Sequence, residues 1–179
     1  PLDAGLIAAR YRRLQESVGS LTIRQAGRRV SDNHRQRRCM PITNQEQDTK
    51  DLFHRFLREV VNPGAPERME EFVAPEYIAH SSDAHGPSGY RDNHLKILAA
   101  FPDFHVEREH LIAEGDTLAF HLTYSGTHSG EFRSIPATLK KVSWTAMQFR
   151  RVENGKFVES WGVSDTDGLL ELLREESSE

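Results

Sequence analysis

Three runs of alternating side-chain character dominate the C-terminal half of this sequence. They are Thr117–Thr127, Lys141–Val152 and Phe157–Val163, and Gly, Pro and Asn residues separate them. Alternation with a period of two is typical of strands that bury one face. The last two runs are joined by Asn154-Gly155, a pair that favours the type I′ turn of a β-hairpin. The pattern therefore predicts a curved antiparallel sheet.

Helical patterns precede these strands and predict a layer that covers one side of the sheet. The first helix is predicted between Asn44, a candidate N-cap, and the stop signal Asn62-Pro63-Gly64; its apolar stripe contains Phe53. The remaining elements predicted from spacing and turn signals are helices at Glu67–Val73 and Ser88–Phe101, strands at Tyr77–His80 and Phe104–Ala113, and a short leucine-rich terminal helix. Helices followed by an antiparallel sheet indicate an α+β fold with a cone-shaped cavity.

The composition is typical of a globular protein with one sizeable domain. The chain has 179 residues, of which 37% are hydrophobic and 28% are charged, and no apolar run approaches the length of a membrane span. Its single cysteine, Cys39, excludes an internal disulfide framework and favours a reducing compartment. We therefore expect a cytoplasmic protein that does not bind membranes.

The charge distribution separates residues 1–39 from residues 40–179. The first segment has nine arginines, no lysine and three acidic residues, a net charge of +6. The remainder has 14 basic and 24 acidic residues, a net charge of −10, which argues against nucleic-acid binding. Residues 1–39 are interpreted as an extension without a packed fold; a targeting or nucleic-acid-binding arm is the alternative. Residues 40–179 are predicted to form the domain.

Several motifs in the predicted domain resemble the SnoaL-like polyketide cyclase, or ester cyclase, family. The most specific are AFPD at Ala100–Asp103, GTHSGEF at Gly126–Phe132 and GKFVESW at Gly155–Trp161. The resemblance extends from about Gln45 to Leu173. It implies the nuclear-transport-factor-like cone, an α+β fold with a curved antiparallel sheet wrapped around three helices, and a homodimer formed through the sheet.

The same resemblance implies a ring-closing activity that uses neither cofactor nor metal. In the family's anthracycline cyclases an acidic side chain moves the proton, which requires a carboxyl group of raised pKa in a dry pocket. That acid follows the tryptophan of the last strand, and in this chain the position is Gly162. Ser160 and Gly162 are predicted to share one strand face. The resemblance therefore implies a family member with altered chemistry.

Asp165 and His80 are the candidate catalytic residues. Asp165 follows the last predicted strand, where it is expected at the mouth of the cavity as the acid–base group; the alternative is that it caps the terminal helix. His80 ends the short strand and is a candidate base or hydrogen-bond donor, or else a structural histidine.

The candidate substrate-binding residues are polar or aromatic residues on the strands and helices. Gln148 is an amide between apolar neighbours, which needs a partner in the substrate or in the sheet. His121 belongs to a polar strand face that we expect on the outer, dimer-facing surface rather than in the cavity. The aromatic candidates are expected to form the walls of the cavity or to pack in the core or an interface: Trp144, Trp161, Phe53 and Phe101.

Three functions are compatible with these features. The first is a cofactor-independent cyclase, isomerase or lyase that acts on a hydrophobic, carbonyl-containing small molecule. The others are a non-catalytic ligand-binding module and a dimerisation module of the same fold. A metal site is not expected, because the histidines lack ligand spacing, and no glycine-rich loop predicts a nucleotide site.

Overall fold

A computed structural model describes residues 43–175. The predicted extension, residues 1–39, and Cys39 lie outside the described residues. The helices are α1 (Asn44–Phe56), continued by a π-helical turn (Leu57–Val61), a 3₁₀ turn (Pro66–Arg68), α2 (Met69–Phe72), α3 (Gly86–Ala100) and α4 (Thr166–Arg174). The strands are β1 (Val73–Ala79), β2 (His105–Glu114), β3 (Thr117–Thr127), β4 (Lys141–Glu153) and β5 (Lys156–Ser164). None of the helices within these residues has the length and apolar character needed to cross a membrane.

The five strands form one sheet in the order β1-β5-β4-β3-β2. Strands β2 to β5 pair antiparallel with their neighbours in sequence, and Asn154 and Gly155 both have positive φ in the turn between β4 and β5. The predicted α+β fold with its curved antiparallel sheet is confirmed. One edge differs from the prediction, because β1 pairs with β5 in parallel. A parallel pair requires a long connection, and here α3 and strands β2 to β4 lie between β1 and β5 in the chain.

The beginning of α1 differs by one residue from the predicted cap. Thr43, not Asn44, is the N-cap: its Oγ1 accepts a hydrogen bond from the backbone N–H of Glu46 at 3.2 Å. The Glu46 carboxylate in turn accepts the backbone N–H of Thr43 at 2.8 Å. Together these bonds form a capping box, which satisfies two helix-terminal donors.

The region between α1 and α3 is more extended than its sequence pattern predicts. The predicted helix at Glu67–Val73 is a 3₁₀ turn followed by the single turn of α2, and the predicted strand at Tyr77–His80 begins already at Val73. Pairing with β5 determines this strand, and such long-range pairing overrides local helix propensity.

The two faces of the sheet differ in burial. Along β4, the even-numbered side chains from Trp144 to Val152 are buried or half-buried on the inner face, which the helices cover. The odd-numbered side chains point outward, and Met147 and Phe149 are exposed there. Because side chains alternate along a strand, this parity decides which residues of every neighbouring strand face the interior.

Candidate active-site cavity

A cavity of about 730 Å³ lies between the inner face of the sheet and the helices. Its size is that of pockets that enclose drug-sized ligands. Most of its wall is apolar, and its large aromatic residues are Phe53, Phe56, Tyr77, Tyr90, Phe104, Tyr124, Phe132 and Trp144. The polar part of its lining includes His94 on α3, Gln148 and Arg150 on β4 and Ser160 on β5.

Arg150 is a buried cation on the inner face of β4. Only 3% of its surface is exposed. Its Nη2 donates hydrogen bonds to the Tyr90 hydroxyl at 3.0 Å and to Oε1 of Gln148 at 3.3 Å. Its Nε and Nη1 are buried and have no hydrogen-bond partner in the described structure. A guanidinium group stays charged in proteins, so Arg150 is a buried positive charge with unused donors.

Aromatic rings surround the Arg150 guanidinium. Five rings lie within 6 Å of its Cζ, at 4.6 Å for Phe157, 5.4 Å for Phe56 and Phe120, 5.5 Å for Tyr90 and 5.9 Å for Phe53. Each such contact is favourable by roughly 0.5–2 kcal/mol. Among residues 43–175, no carboxylate forms an ion pair with Arg150. The rings therefore contribute to the stabilisation of the buried cation.

Tyrosine hydroxyls extend this polar cluster along the cavity. Nε2 of Gln148 donates to the Tyr124 hydroxyl at 3.3 Å, and the Tyr77 hydroxyl shares a 2.6 Å hydrogen bond with Ser160 Oγ. Burial raises the pKa of Tyr124, and it also raises the pKa of Tyr77, an effect that the Arg150 charge opposes. The phenols are therefore neutral hydrogen-bond donors at physiological pH.

His94 is the second buried polar residue of the cavity without a full set of partners. It lies on α3, four residues after Tyr90, is 7% exposed, and its Nε2 has no hydrogen-bond partner. Burial lowers the pKa of His94, and the nearby Val61 carbonyl opposes this effect. The ring is therefore neutral at neutral pH. In the tautomer with the proton on Nδ1, Nε2 carries a free lone pair that can accept a proton.

The two catalytic candidates from the sequence lie outside this cluster. Asp165 is the N-cap of α4, where its carboxylate accepts the backbone N–H of Gly168 at 3.2 Å, and it is not part of the cavity wall. His80 is exposed, lies 3.2 Å from the Glu159 carboxylate and stacks on Trp161 at a ring separation of 4.8 Å. Trp161 lies on the outer face of β5 and is also absent from the wall.

The other candidates divide between the cavity, the core and the outer face. Gln148, Trp144 and Phe53 line the cavity. Phe101 is fully buried in the core, where its ring lies 5.3 Å from that of Trp144. His121, a substrate-binding candidate expected on the outer surface, lies on the outer face of β3 and does not line the cavity; its ring is 5.9 Å from that of His110.

Sequence reasoning missed Arg150, Tyr90 and His94. Parity along β4 offered a signal, because Arg150 shares a face with Gln148 and Trp144. The helical spacing of Tyr90 and His94 was a second signal, since residues four apart share a helix face. Within residues 43–175, no group of three or more His, Cys, Asp or Glu side chains could hold a metal ion.

Position 162 lies on the inner face of β5 without a side chain. Gly162 pairs with Gln148 on the neighbouring strand, between the cavity-lining Ser160 and Ser164. A Cβ atom on Gly162 would lie 2.5 Å from Cγ of Gln148 and 2.9 Å from the Met147 carbonyl oxygen. The predicted acid position is therefore on the inner face, and the glutamine occupies its space.

The sequence was compared with models of protein families, and residues 51–173 match SnoaL-like polyketide cyclase. The chain belongs to the SnoaL-like polyketide cyclase family. A search of the curated proteins gave no match.

Several solved structures have a similar fold. TsrD from Streptomyces laurentii is 26% identical with a TM-score of 0.66, and the alignment covers 72% of this chain and 96% of TsrD. IdmH from Streptomyces antibioticus, described as a candidate polyketide cyclase, is 28% identical with a TM-score of 0.62, covering 70% and 97%. A candidate SnoaL-like cyclase from Jannaschia sp. CCS1 is 18% identical with a TM-score of 0.69, covering 75% and 97%, and it supports the fold alone.

Proposed function

We propose that this SnoaL-like protein is an enzyme of the cyclase, isomerase or lyase type that moves a proton on a hydrophobic, carbonyl-containing small molecule without a cofactor. The observation that carries the proposal is the pair of incompletely bonded polar residues, Arg150 and His94, in the wall of one apolar cavity. Desolvated groups of this kind are concentrated at functional sites. Membership of the family supports the same class of substrate.

His94 is the proposed base. Its neutral imidazole has a free nitrogen, and its lowered pKa keeps that nitrogen unprotonated at neutral pH. Removal of a proton from carbon next to a carbonyl group leaves negative charge on the oxygen. A base in a dry cavity needs groups that stabilise this charge as it develops.

Tyr90, Tyr124, Gln148 and Arg150 are proposed to hold the substrate oxygens. The two phenols accept hydrogen bonds from Arg150 and Gln148, so their own O–H groups remain available as donors. Preorganised donors of this kind act on the transition state without reorganisation. Asp165 and His80, the candidates from the sequence, have no part in this mechanism because neither lines the cavity.

A ligand-binding module without catalysis and a dimerisation module are less well supported. A ligand-binding module without catalysis is expected to pair its polar groups with one another, whereas Arg150 and His94 have side-chain nitrogens without hydrogen-bond partners. A purely scaffolding domain is expected to fill its cavity with its own side chains, whereas the cavity of this protein has a volume of about 730 Å³.

We also propose that the protein forms a homodimer through the outer face of the sheet. Four large apolar residues are exposed there in paired positions, Met147 opposite Val163 and Phe149 opposite Trp161. Contiguous exposed apolar surface of this kind commonly marks an interface. A cytoplasmic location remains a prediction from the single cysteine.

Proton exchange with solvent tests the proposed activity without knowledge of the natural substrate. The full chain is incubated in D₂O with a panel of hydrophobic ketones and 1,3-diketones, and deuterium uptake beside the carbonyl group is followed by NMR. We expect enzyme-dependent uptake for at least one probe and its loss in His94→Gln. Uptake that never exceeds the buffer rate would contradict the proposal.

A further inference from the structure

We infer that the molecule bound in this cavity carries a carboxylate, which pairs with the Arg150 guanidinium. Only 3% of the Arg150 surface is exposed, yet its Nε and Nη1 have no hydrogen-bond partner in residues 43–175. Its two recorded hydrogen bonds, to Tyr90 and Gln148, are to neutral oxygens. An anion is the missing partner. The inference rests on the proposed function only in treating this cavity as the ligand site.

The charges around the cavity favour an anionic ligand. Its lining includes the cationic side chains of Lys96, Arg133 and Arg150 and one acidic residue, Glu131; Arg150 is buried and the other three are exposed. A cation that is enclosed by rings and remote from a carboxylate raises the local potential, and low-dielectric walls strengthen that field. A negatively charged ligand is therefore attracted towards Arg150.

A carboxylate satisfies Arg150 better than a neutral carbonyl group does. Removing a guanidinium from water carries a large desolvation penalty, and pairing with an anion through charge-assisted hydrogen bonds is the usual compensation. The Tyr90 hydroxyl accepts from Arg150, so its own proton is free for a second ligand oxygen. A neutral carbonyl oxygen accepts hydrogen bonds but leaves the positive charge uncompensated.

The other residues of the cavity wall indicate the chemistry of the ligand beyond its carboxylate. Aromatic residues, among them Phe53, Phe104 and Trp144, form part of the cavity wall. Flat apolar ligands bind such walls by stacking and burial. We therefore assign the ligand to the class of hydrophobic, ring-containing carboxylic acids. The carbonyl group that reacts is then held by Tyr124 and Gln148.

Matched probes that differ only in charge test this inference. Binding of 2-naphthoate and of 2-naphthamide to the full chain is measured by isothermal titration calorimetry at pH 7. We expect naphthoate to bind at least about tenfold more tightly, which corresponds to one charge-assisted hydrogen bond. Arg150→Met removes the charge but keeps an apolar side chain of related shape. We expect the preference for naphthoate to disappear in this variant.

Arg151→Met is the matched control, because it removes the same charge from the next residue, which points to the outer face and pairs with Glu159. We expect it to keep the tenfold preference. Equal affinities in the wild type would overturn the inference even if Arg150→Met does not fold, as would binding of neither probe at millimolar concentration. A preference that survives in Arg150→Met would overturn it as well. Intact preference without any proton exchange would count against the proposed function alone.

Discussion

Gln148 occupies the space that a side chain at Gly162 would need. The two residues are register partners on β4 and β5, and a Cβ on Gly162 would lie 2.5 Å from Cγ of Gln148. In the family's anthracycline cyclases, as the resemblance places them, position 162 holds the catalytic acid. The glutamine side chain thus fills the space beside the glycine.

Adding a side chain at position 162 is expected to destabilise the fold mainly through Gln148. Gly162→Ala should lower the free energy of unfolding by about 1–3 kcal/mol, as overpacking typically does. Combination with Gln148→Ala should recover part of this loss, because the Met147 carbonyl oxygen remains 2.9 Å from the new Cβ. Urea denaturation of the double-mutant cycle measures the coupling. Strict additivity of the two changes would contradict the account.

Without an acid at position 162, the anthracycline type of aldol ring closure is not expected. An anthracycline-precursor methyl ester incubated with the protein should show no ring closure above the buffer rate by liquid chromatography. Turnover that Asp165→Asn abolishes would contradict this prediction and restore Asp165 as the acid.

Asp165 is expected to act as a helix cap. Asp165→Ala removes the carboxylate that accepts the Gly168 N–H and should cost about 1 kcal/mol of stability, whereas Asp165→Asn keeps a good capping oxygen and should be nearly neutral. Chemical denaturation distinguishes the two variants. Equal stability of Asp165→Ala and wild type would show that the cap contributes nothing.

His94 is expected to make stability depend on pH below neutrality. Burial lowers its pKa in the folded protein, so the unfolded chain binds the proton first as the pH falls. The neutral His94 ring makes its full contribution to stability above about pH 6.5, the ordinary pKa of histidine. This contribution decreases as the pH falls from there towards the lowered pKa of the folded protein. As the pH falls through this range, the stability of the wild type relative to His94→Gln should therefore decrease by up to about 1.4 kcal/mol for each pH unit.

This comparison cancels the effects of other histidines. Burial also lowers the pKa values of His54 and His128, but both residues are present in the two proteins compared. Denaturation curves between pH 5 and 8 provide the measurement. A constant difference across that range would mean that His94 does not titrate differently in the folded protein.

The outer face of the sheet is expected to mediate self-association. Phe149→Glu places a charge in the middle of the exposed apolar residues and should convert a dimer into a monomer in sedimentation equilibrium. Leu139→Glu is the control, because Leu139 is exposed at 72% but lies outside the strands. A monomeric wild type, or a Phe149→Glu variant that remains dimeric, would contradict the proposed interface.

The fold could be predicted from the sequence because its signals are local. Period-two runs and the Asn154-Gly155 turn identified the strands of the antiparallel sheet, and family motifs agreed with them. The parallel pairing of β1 with β5 could not be predicted in this way. It depends on contacts between residues about 80 positions apart, such as Ile78 and Glu159.

The site was harder to predict because parity within a strand does not state which face is inside. Gln148 and Trp144 were identified and line the cavity, whereas Trp161 is on the opposite face. Arg150 was missed because an arginine near a hairpin usually faces solvent. Only the structure places its guanidinium among five rings from different elements.

The most direct test of the central claim is the rate of deuterium uptake by a carbonyl probe in wild type, His94→Gln and Asp165→Asn, measured side by side by NMR. The account predicts that His94→Gln lowers the enzyme-dependent rate at least about a hundredfold, the usual contribution of a general base. Asp165→Asn should retain the wild-type rate. Loss of exchange in Asp165→Asn with normal exchange in His94→Gln would contradict the account.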